Sequence, residues 1–282
     1  MRVIKNNSIV YGVIAIFVSV LCVSQVSAAE YENYFGIEMT NSEYNTLLNL
    51  GFTEDEIYYM NEETYLQNKD ANANLVAKET KYYKTIYTDL AGNSYSTEIT
   101  EDEYESQPMI DSRATVTTTY KQMVSMISQN GSKYRFKVTL AWRNMPSVKS
   151  YDIIGVGFDN DDIYIDSSIC FNYHWCNSSG NCTTDSTYYN KKSKSTGGSA
   201  VYDLPNSPIS LGATLYYDVA KSTSSTITSL RMCGDYSHAT SNVTTTQAAN
   251  HNITMNGLEL GSGTIGYYDE IPCAISTWSG SW

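Results

Sequence analysis

The chain has 282 residues, with 30 acidic and 18 basic side chains and a formal charge of −12 at neutral pH. That balance argues against a nucleic-acid partner, because phosphate binding needs clustered Lys and Arg, and the nearest cluster, Lys191 to Ser195, reads as a solvated loop. Twenty-five tyrosines point to a β-rich chain, since Tyr favours strands and carries a polar tip on an apolar ring.

The first residues have the pattern of an export signal. Arg2 and Lys5 precede an apolar run from Ile9 to Val23, and Val26, Ser27 and Ala28 place small residues where a signal peptidase reads. Residues 1–28 are expected to be removed, with cleavage after Ala28 or Ala29 fitting equally well. The run is too short and too close to that site for a membrane span, and no later segment is apolar enough to cross a bilayer. Leu21 stands where a lipidated Cys22 would need a small residue. The expected location is secreted, extracellular or loosely associated with the envelope.

Charge divides the rest of the chain. Glu30 to Asp111 holds 18 acidic residues and four basic ones, Lys69, Lys78, Lys81 and Lys84, a balance of −14. From Arg113 onward 12 basic and 12 acidic residues cancel. The acidic region, 29–112, reads as a small α+β unit of two short helices and a hairpin. Thr40 with Glu43 and Thr53 with Glu56 form capping boxes. Leu47, Leu48 and Leu50 supply an apolar face that Gly51 terminates. "TKYYKTIYT" and "SYSTEIT" alternate about "DLAGN" and predict a hairpin. "ITEDEY" (Ile99 to Tyr104) repeats the cap pattern of "MTNSEY" (Met39 to Tyr44). Pro108 then marks a boundary. The charge step and the polar Ser112-Arg113 site are expected where chains are nicked. Two readings stay open: a pro-segment released near Arg113, or a small domain that stays attached.

Residues 113–282 are expected to form one antiparallel β-sandwich. "KYRFKVTLAW" places Tyr134, Phe136, Val138, Leu140 and Trp142 on one face and Arg135, Lys137 and Thr139 on the other. Asn130-Gly131 before it makes a hairpin turn. Further strands are expected over 114–127, 150–158, 169–176, 182–190, 199–204, 213–220, 226–233 and 251–256. Frequent strands without intervening helices give a sandwich.

Three constellations could carry chemistry. In "CFNYHWCNSSGNC" a strand puts Cys170, Asn172, His174 and Cys176 on one face and Phe171, Tyr173 and Trp175 on the other, core face. Cys176 and Cys182 flank a hairpin-length loop and suit a disulfide; zinc on Cys170, His174 and Cys176 is the rival reading. Cys233, Asp235 and His238 lie in "CGDYSHAT" and offer a thiol, a carboxylate and an imidazole, or else an ordinary turn. Asp159, Asp161, Asp162 and Asp166 crowd oxygen ligands into one loop, as calcium requires; no other cofactor is indicated.

"RFKVTLAWRNMPSVKSYDIIGVGF", "CGDYSHATSNVT" and "GFTEDEIYYMNEETY" resemble a family of uncharacterised proteins secreted by Gram-positive (Firmicutes) bacteria. The marks are "SYDIIG" at 150–155 and "GDYSHAT" at 234–240. The resemblance implies export and a two-part layout, and it carries over no catalytic residue. The leading functional expectation is a secreted, non-enzymatic binding protein whose partner is a surface glycan or a protein. The rivals are a thiol-dependent hydrolase using Cys233 and His238, and a calcium-stabilised adhesin.

Overall fold

The alternating stretch around Lys133–Trp142 becomes the middle of a large antiparallel sheet in the computed structural model, which describes residues 2–3, 29–87, 94–107, 118–269 and 271–282. Its strands are β1 (Ala73–Tyr87), β2 (Ser94–Ile99), β3 (Thr118–Asn130), β4 (Lys133–Trp142), β7 (Cys170–Asn177), β8 (Cys182–Asp185) and β11 (Pro208–Lys221), in the order β8-β7-β11-β4-β3-β1-β2. The short β6 (Ile163–Ile165) pairs with the far end of β11. A second antiparallel sheet runs β9-β10-β5-β12-β15, built from Asn190–Lys194, Gly197–Asp203, Tyr151–Phe158, Ser229–Ser237 and Ala274–Ser279. A hairpin of β13 (His251–Thr254) and β14 (Gly257–Leu260) lies outside both sheets.

The two sheets stack as a sandwich. Between them lie the inward residues of β4, Phe136, Val138, Leu140 and Trp142, against Ile154, Val156, Phe158, Tyr202 and Met232. Polar bridges cross the same interface: Tyr217 donates to the Val156 carbonyl at 2.9 Å, and Ser125 donates to the Ala274 carbonyl at 2.8 Å. Phe171 and Tyr173 face this core, as the alternation of β7 predicts. Several strands escape the sequence pattern. β9 takes in Lys191–Lys194 of the Lys191–Ser195 cluster that reads as a solvated loop; it is a polar edge strand. β14 and β15 are also absent from the expected set, and residues 114–117 lie outside the described residues.

Among the described residues, the acidic region has three helices rather than two ahead of its hairpin: α1 (Asn41–Asn49), α2 (Glu54–Tyr58) and α3 (Glu62–Asn68). The capping boxes form as expected. Thr40 Oγ1 accepts from the Glu43 N–H at 3.2 Å while Glu43 Oε2 accepts from the Thr40 N–H at 2.8 Å, and Thr53 and Glu56 repeat the exchange. Gly51 ends α1 at φ +87° and lies so close to Met126 that a Cβ would press on its sulfur. α3 is capped by Asn61, whose Oδ1 accepts from the Thr64 N–H. A fourth helix, α4 (Glu101–Glu105), follows the hairpin and is capped by Thr100, as the repeated pattern indicates. The expected hairpin is β1 with β2.

That hairpin is not a free-standing unit. β1 pairs with β3 from Ala73↔Asn130 to Ile86↔Thr118, so one sheet continues across the charge step at residues 112–113. Arg113 and Ala28, the expected processing sites, lie outside the described residues. Because the sheet spans the step, a chain cut at Arg113 is expected to run as one species by size exclusion in native buffer. Its two pieces should separate only in denaturant; separation in native buffer would contradict this pairing.

Candidate binding cleft

Register arranges the outer face of the large sheet in rows. One row is Met126, Lys137, Tyr216 and Cys170; the next is Val124, Thr139, Thr214 and Asn172; the third is Gln122, Ala141, Gly212 and His174. Two of these rows are roofed by the acidic helices. Met39, Leu47, Leu50, Phe52, Ile57 and Tyr65 form a separate apolar cluster that closes on Tyr216. Phe52 meets the Tyr216 ring edge-on at 5.5 Å.

Charge under this roof is paired. Lys137, fully buried, donates to Glu56 Oε2 at 2.7 Å and to Thr139 Oγ1 at 2.5 Å. Thr139 donates to Glu56 Oε1 at 3.0 Å, and Thr214 donates to the same oxygen. Burial pushes the Glu56 carboxyl up, but the Lys137 charge and these hydrogen bonds outweigh it and hold the group below its ordinary value. Arg135 lies over the Tyr216 ring at 4.5 Å and binds Asp218 Oδ1 at 2.7 Å and Asn68 Oδ1 at 2.6 Å. The side of β4 that alternation assigns away from the core is therefore buried too.

The third row stays open and floors a cleft between the helices and the sheet. The cleft has a volume of about 320 Å³, and Asp55, Tyr59, Glu105, Gln122, Arg143 and His174 line it. His174 Nε2 lies 2.9 Å from Asp55 Oδ2, and the Tyr59 ring stacks on the imidazole with centroids 4.8 Å apart. Gly212 makes room for this, since a Cβ there would sit 2.4 Å from the His174 ring. Arg143 is fixed by the end of α4: Nη1 reaches Glu105 Oε2 at 3.0 Å and Nε donates to the Gln107 carbonyl at 2.9 Å. Burial, then the Asp55 charge, pushes the Tyr59 phenol up, so its hydroxyl remains a donor. The cleft thus offers an aromatic plate, two exposed carboxylates and a guanidinium, able to stack on a flat apolar face and to bond several hydroxyls.

The structure brings together only some of the residues singled out by sequence. Cys176 and Cys182 form the expected disulfide, with sulfurs 2.02 Å apart, which removes Cys176 from any zinc set. Tyr34 anchors this loop by donating to the Gly180 carbonyl at 3.2 Å and accepting from the Cys182 N–H at 3.1 Å. Asp166 pairs with Lys133, and no three His, Cys, Asp or Glu groups among the described residues converge as a metal site, so Asp159, Asp161, Asp162 and Asp166 do not gather around one point.

Cys233 and His238 do not share a hydrogen bond. Cys233 is fully buried, and its hydrogen bond with Cys273 and then burial push the thiol up, which disfavours the thiolate. Asp235 accepts from the Tyr236 N–H at 2.6 Å and the Leu258 N–H at 2.6 Å, holding the β13–β14 hairpin. His238 Nδ1 instead lies 3.0 Å from both oxygens of Asp152. Tyr236 donates to Asp152, and so does the Ala239 N–H at 2.9 Å. The "SYDIIG" and "GDYSHAT" stretches thus meet at one buried carboxylate.

No family model matches the chain, and no curated relative matches it. Among solved structures, the chain is similar to the collagen binding domain of the Erysipelothrix rhusiopathiae surface protein RspB, at 9% identity and a TM-score of 0.24; the match covers 57% of this chain and 66% of that one. Among the described residues no helix is long and apolar enough to cross a membrane.

Two buried groups set the response to acid. His251 is held neutral between Ser199 Oγ at 2.7 Å and the Ala248 carbonyl at 2.8 Å, and burial lowers its pKa from 6.5 to about 4. A depressed histidine stabilises the fold fully above its unfolded pKa and loses that contribution as pH falls towards 4, on the order of 3 kcal/mol. Glu56, also depressed, loses its contribution as pH falls below the ordinary carboxylate range. Denaturant titrations should therefore show stability falling first between pH 6.5 and 4 and again below that window. H251Q should flatten the first limb only; an unchanged first limb would contradict this assignment.

Proposed function

We propose that the protein is an exported, non-enzymatic binding protein that holds a glycan segment in the cleft between its acidic helices and the large sheet. The observation that carries this reading is the cleft's lining. Tyr59 is presented flat by its stack on His174, while Asp55, Glu105 and Arg143 stand at the same cleft with acceptors and donors partly exposed. Sugars present a flat apolar C–H face and a rim of hydroxyls, which such a surface matches. Its volume is of the order usual for small-ligand sites, roughly 300–1,000 Å³. The Cys176–Cys182 disulfide supports an oxidising compartment outside the cytosol. The export signal and the resemblance to secreted Gram-positive proteins agree with that location.

A glycan array probed with the full mature chain should give discrete hits. Titration of a hit should show R143A weakened about tenfold or more, as loss of a charge-assisted hydrogen bond worth about 1.5–3 kcal/mol requires. Y59A should weaken it as well. A blank array at high protein concentration, or hits that survive both substitutions, would overturn the assignment.

A further inference from the structure

A second buried cation sits on the opposite face of the large sheet. Lys121 lies on the inner side of β3, directly across from Trp142 in the register, and its Nζ contacts Asp269 Oδ2. Both side chains are wholly shielded from solvent. This pair differs from Lys137–Glu56 in how its donors are met. Lys137 has two oxygen partners. Lys121 has Asp269 as its one oxygen partner among the described residues, and otherwise faces the rings of Trp142 at 4.8 Å and Tyr236 at 5.9 Å. An ammonium carries three donors, so an ionised pair here leaves donors unmatched in a dry site, which is costly. Moving one proton across the contact gives an amine beside a carboxylic acid and removes both charges.

We propose that Lys121 and Asp269 condense into an intramolecular amide that covalently joins β3 to the segment leading into β15. The Nζ lone pair attacks Cγ of Asp269, and a Nζ–Cγ bond forms. The Cγ–Oδ2 bond breaks, and Oδ2 leaves as water with its own proton and one from Nζ. No oxidant or reductant is needed. Oδ1 becomes the amide oxygen and keeps the hydrogen bond it already accepts from the His238 N–H at 2.8 Å, a donor placed to stabilise charge on that oxygen during attack. The three donors of the ammonium fall to one.

His238 positions the acid through its backbone. Its Nδ1 is held at 3.0 Å by Asp152, and its carbonyl accepts from the Asp269 N–H at 2.9 Å. Its Nε2 is buried and has no hydrogen-bond partner among the described residues. The imidazole and Lys121 pack on the same Trp142 ring, at 5.2 Å and 4.8 Å. Nε2 makes no hydrogen bond to Nζ, so the proton that leaves Nζ passes directly to Oδ2, across the contact these two atoms already make. This also gives His238 of "CGDYSHAT" a positioning role without Cys233. Exclusion of water protects the product from hydrolysis.

Peptide mapping of the purified mature protein, reduced and alkylated so that disulfides do not contribute, tests this directly. The expected result is a fragment joining the Lys121 peptide to the Asp269 peptide, lighter than their sum by one water. D269N, which keeps an acyl carbon at the same place, should give the same link with loss of ammonia, and K121M should give none. Recovery of both wild-type peptides unlinked and at full mass would overturn the proposal, and that reading needs no variant to fold.

Discussion

An ammonium and a carboxylate buried on the outer face of a β-sheet decide how this chain is organised. Lys137 is carried by the central strand β4, and Glu56 reaches it from the first turn of α2. Either charge alone in that place would be expensive, and breaking such a pair by removing one partner costs about 3–5 kcal/mol. The outer face of the sheet therefore depends on the acidic helices for its charge balance as well as its apolar cover. Thr139 and Thr214 complete the carboxylate's hydrogen bonds, so the face is polar yet satisfied. The cleft is a consequence of this arrangement. The helices that bring Glu56 to Lys137 also bring Asp55 and Tyr59 to the rim of the uncovered row.

The interior of the sandwich holds a second polar centre of different design. Asp152, Tyr236, His238, Lys121 and Asp269 are all buried beside Trp142. Their bonds tie β5, the end of β12, β3 and the entry to β15 into one junction. Ser150 adds to it by accepting from the Val243 N–H at 3.0 Å. The stretches at 150–155 and 234–240 supply Asp152, Tyr236 and His238 to this junction.

Much of the fold is legible in the sequence, because local rules govern it. Strict alternation places Phe136, Val138 and Leu140 in the core, the capping boxes at Thr40 and Thr53 start helices where they should, and the spacing of Cys176 and Cys182 suits a hairpin disulfide. What local rules cannot express is what covers a polar face. Arg135, Lys137 and Thr139 have the same pattern whether they meet water or a carboxylate 81 residues earlier. The cleft is equally silent in sequence, since Asp55, Arg143 and His174 come from a helix, a strand end and a second strand. His238 reads in sequence as a partner for the nearby Cys233, yet its carboxylate is Asp152, 86 residues distant. The polar run at Lys191–Lys194 lacks any apolar alternation because β9 is an edge strand with much of its surface in water.

That the acidic helices and the sandwich are one folding unit joined through the outer sheet face is the claim on which the cleft depends. Native-state hydrogen exchange of the mature chain tests it most directly. The slowest amides of α1 and α3 should exchange with the same free energy, and the same denaturant dependence, as those of β4 and β11. Helix amides that open several kcal/mol below the sandwich, with little denaturant dependence, would show an independently opening appendage and contradict the account.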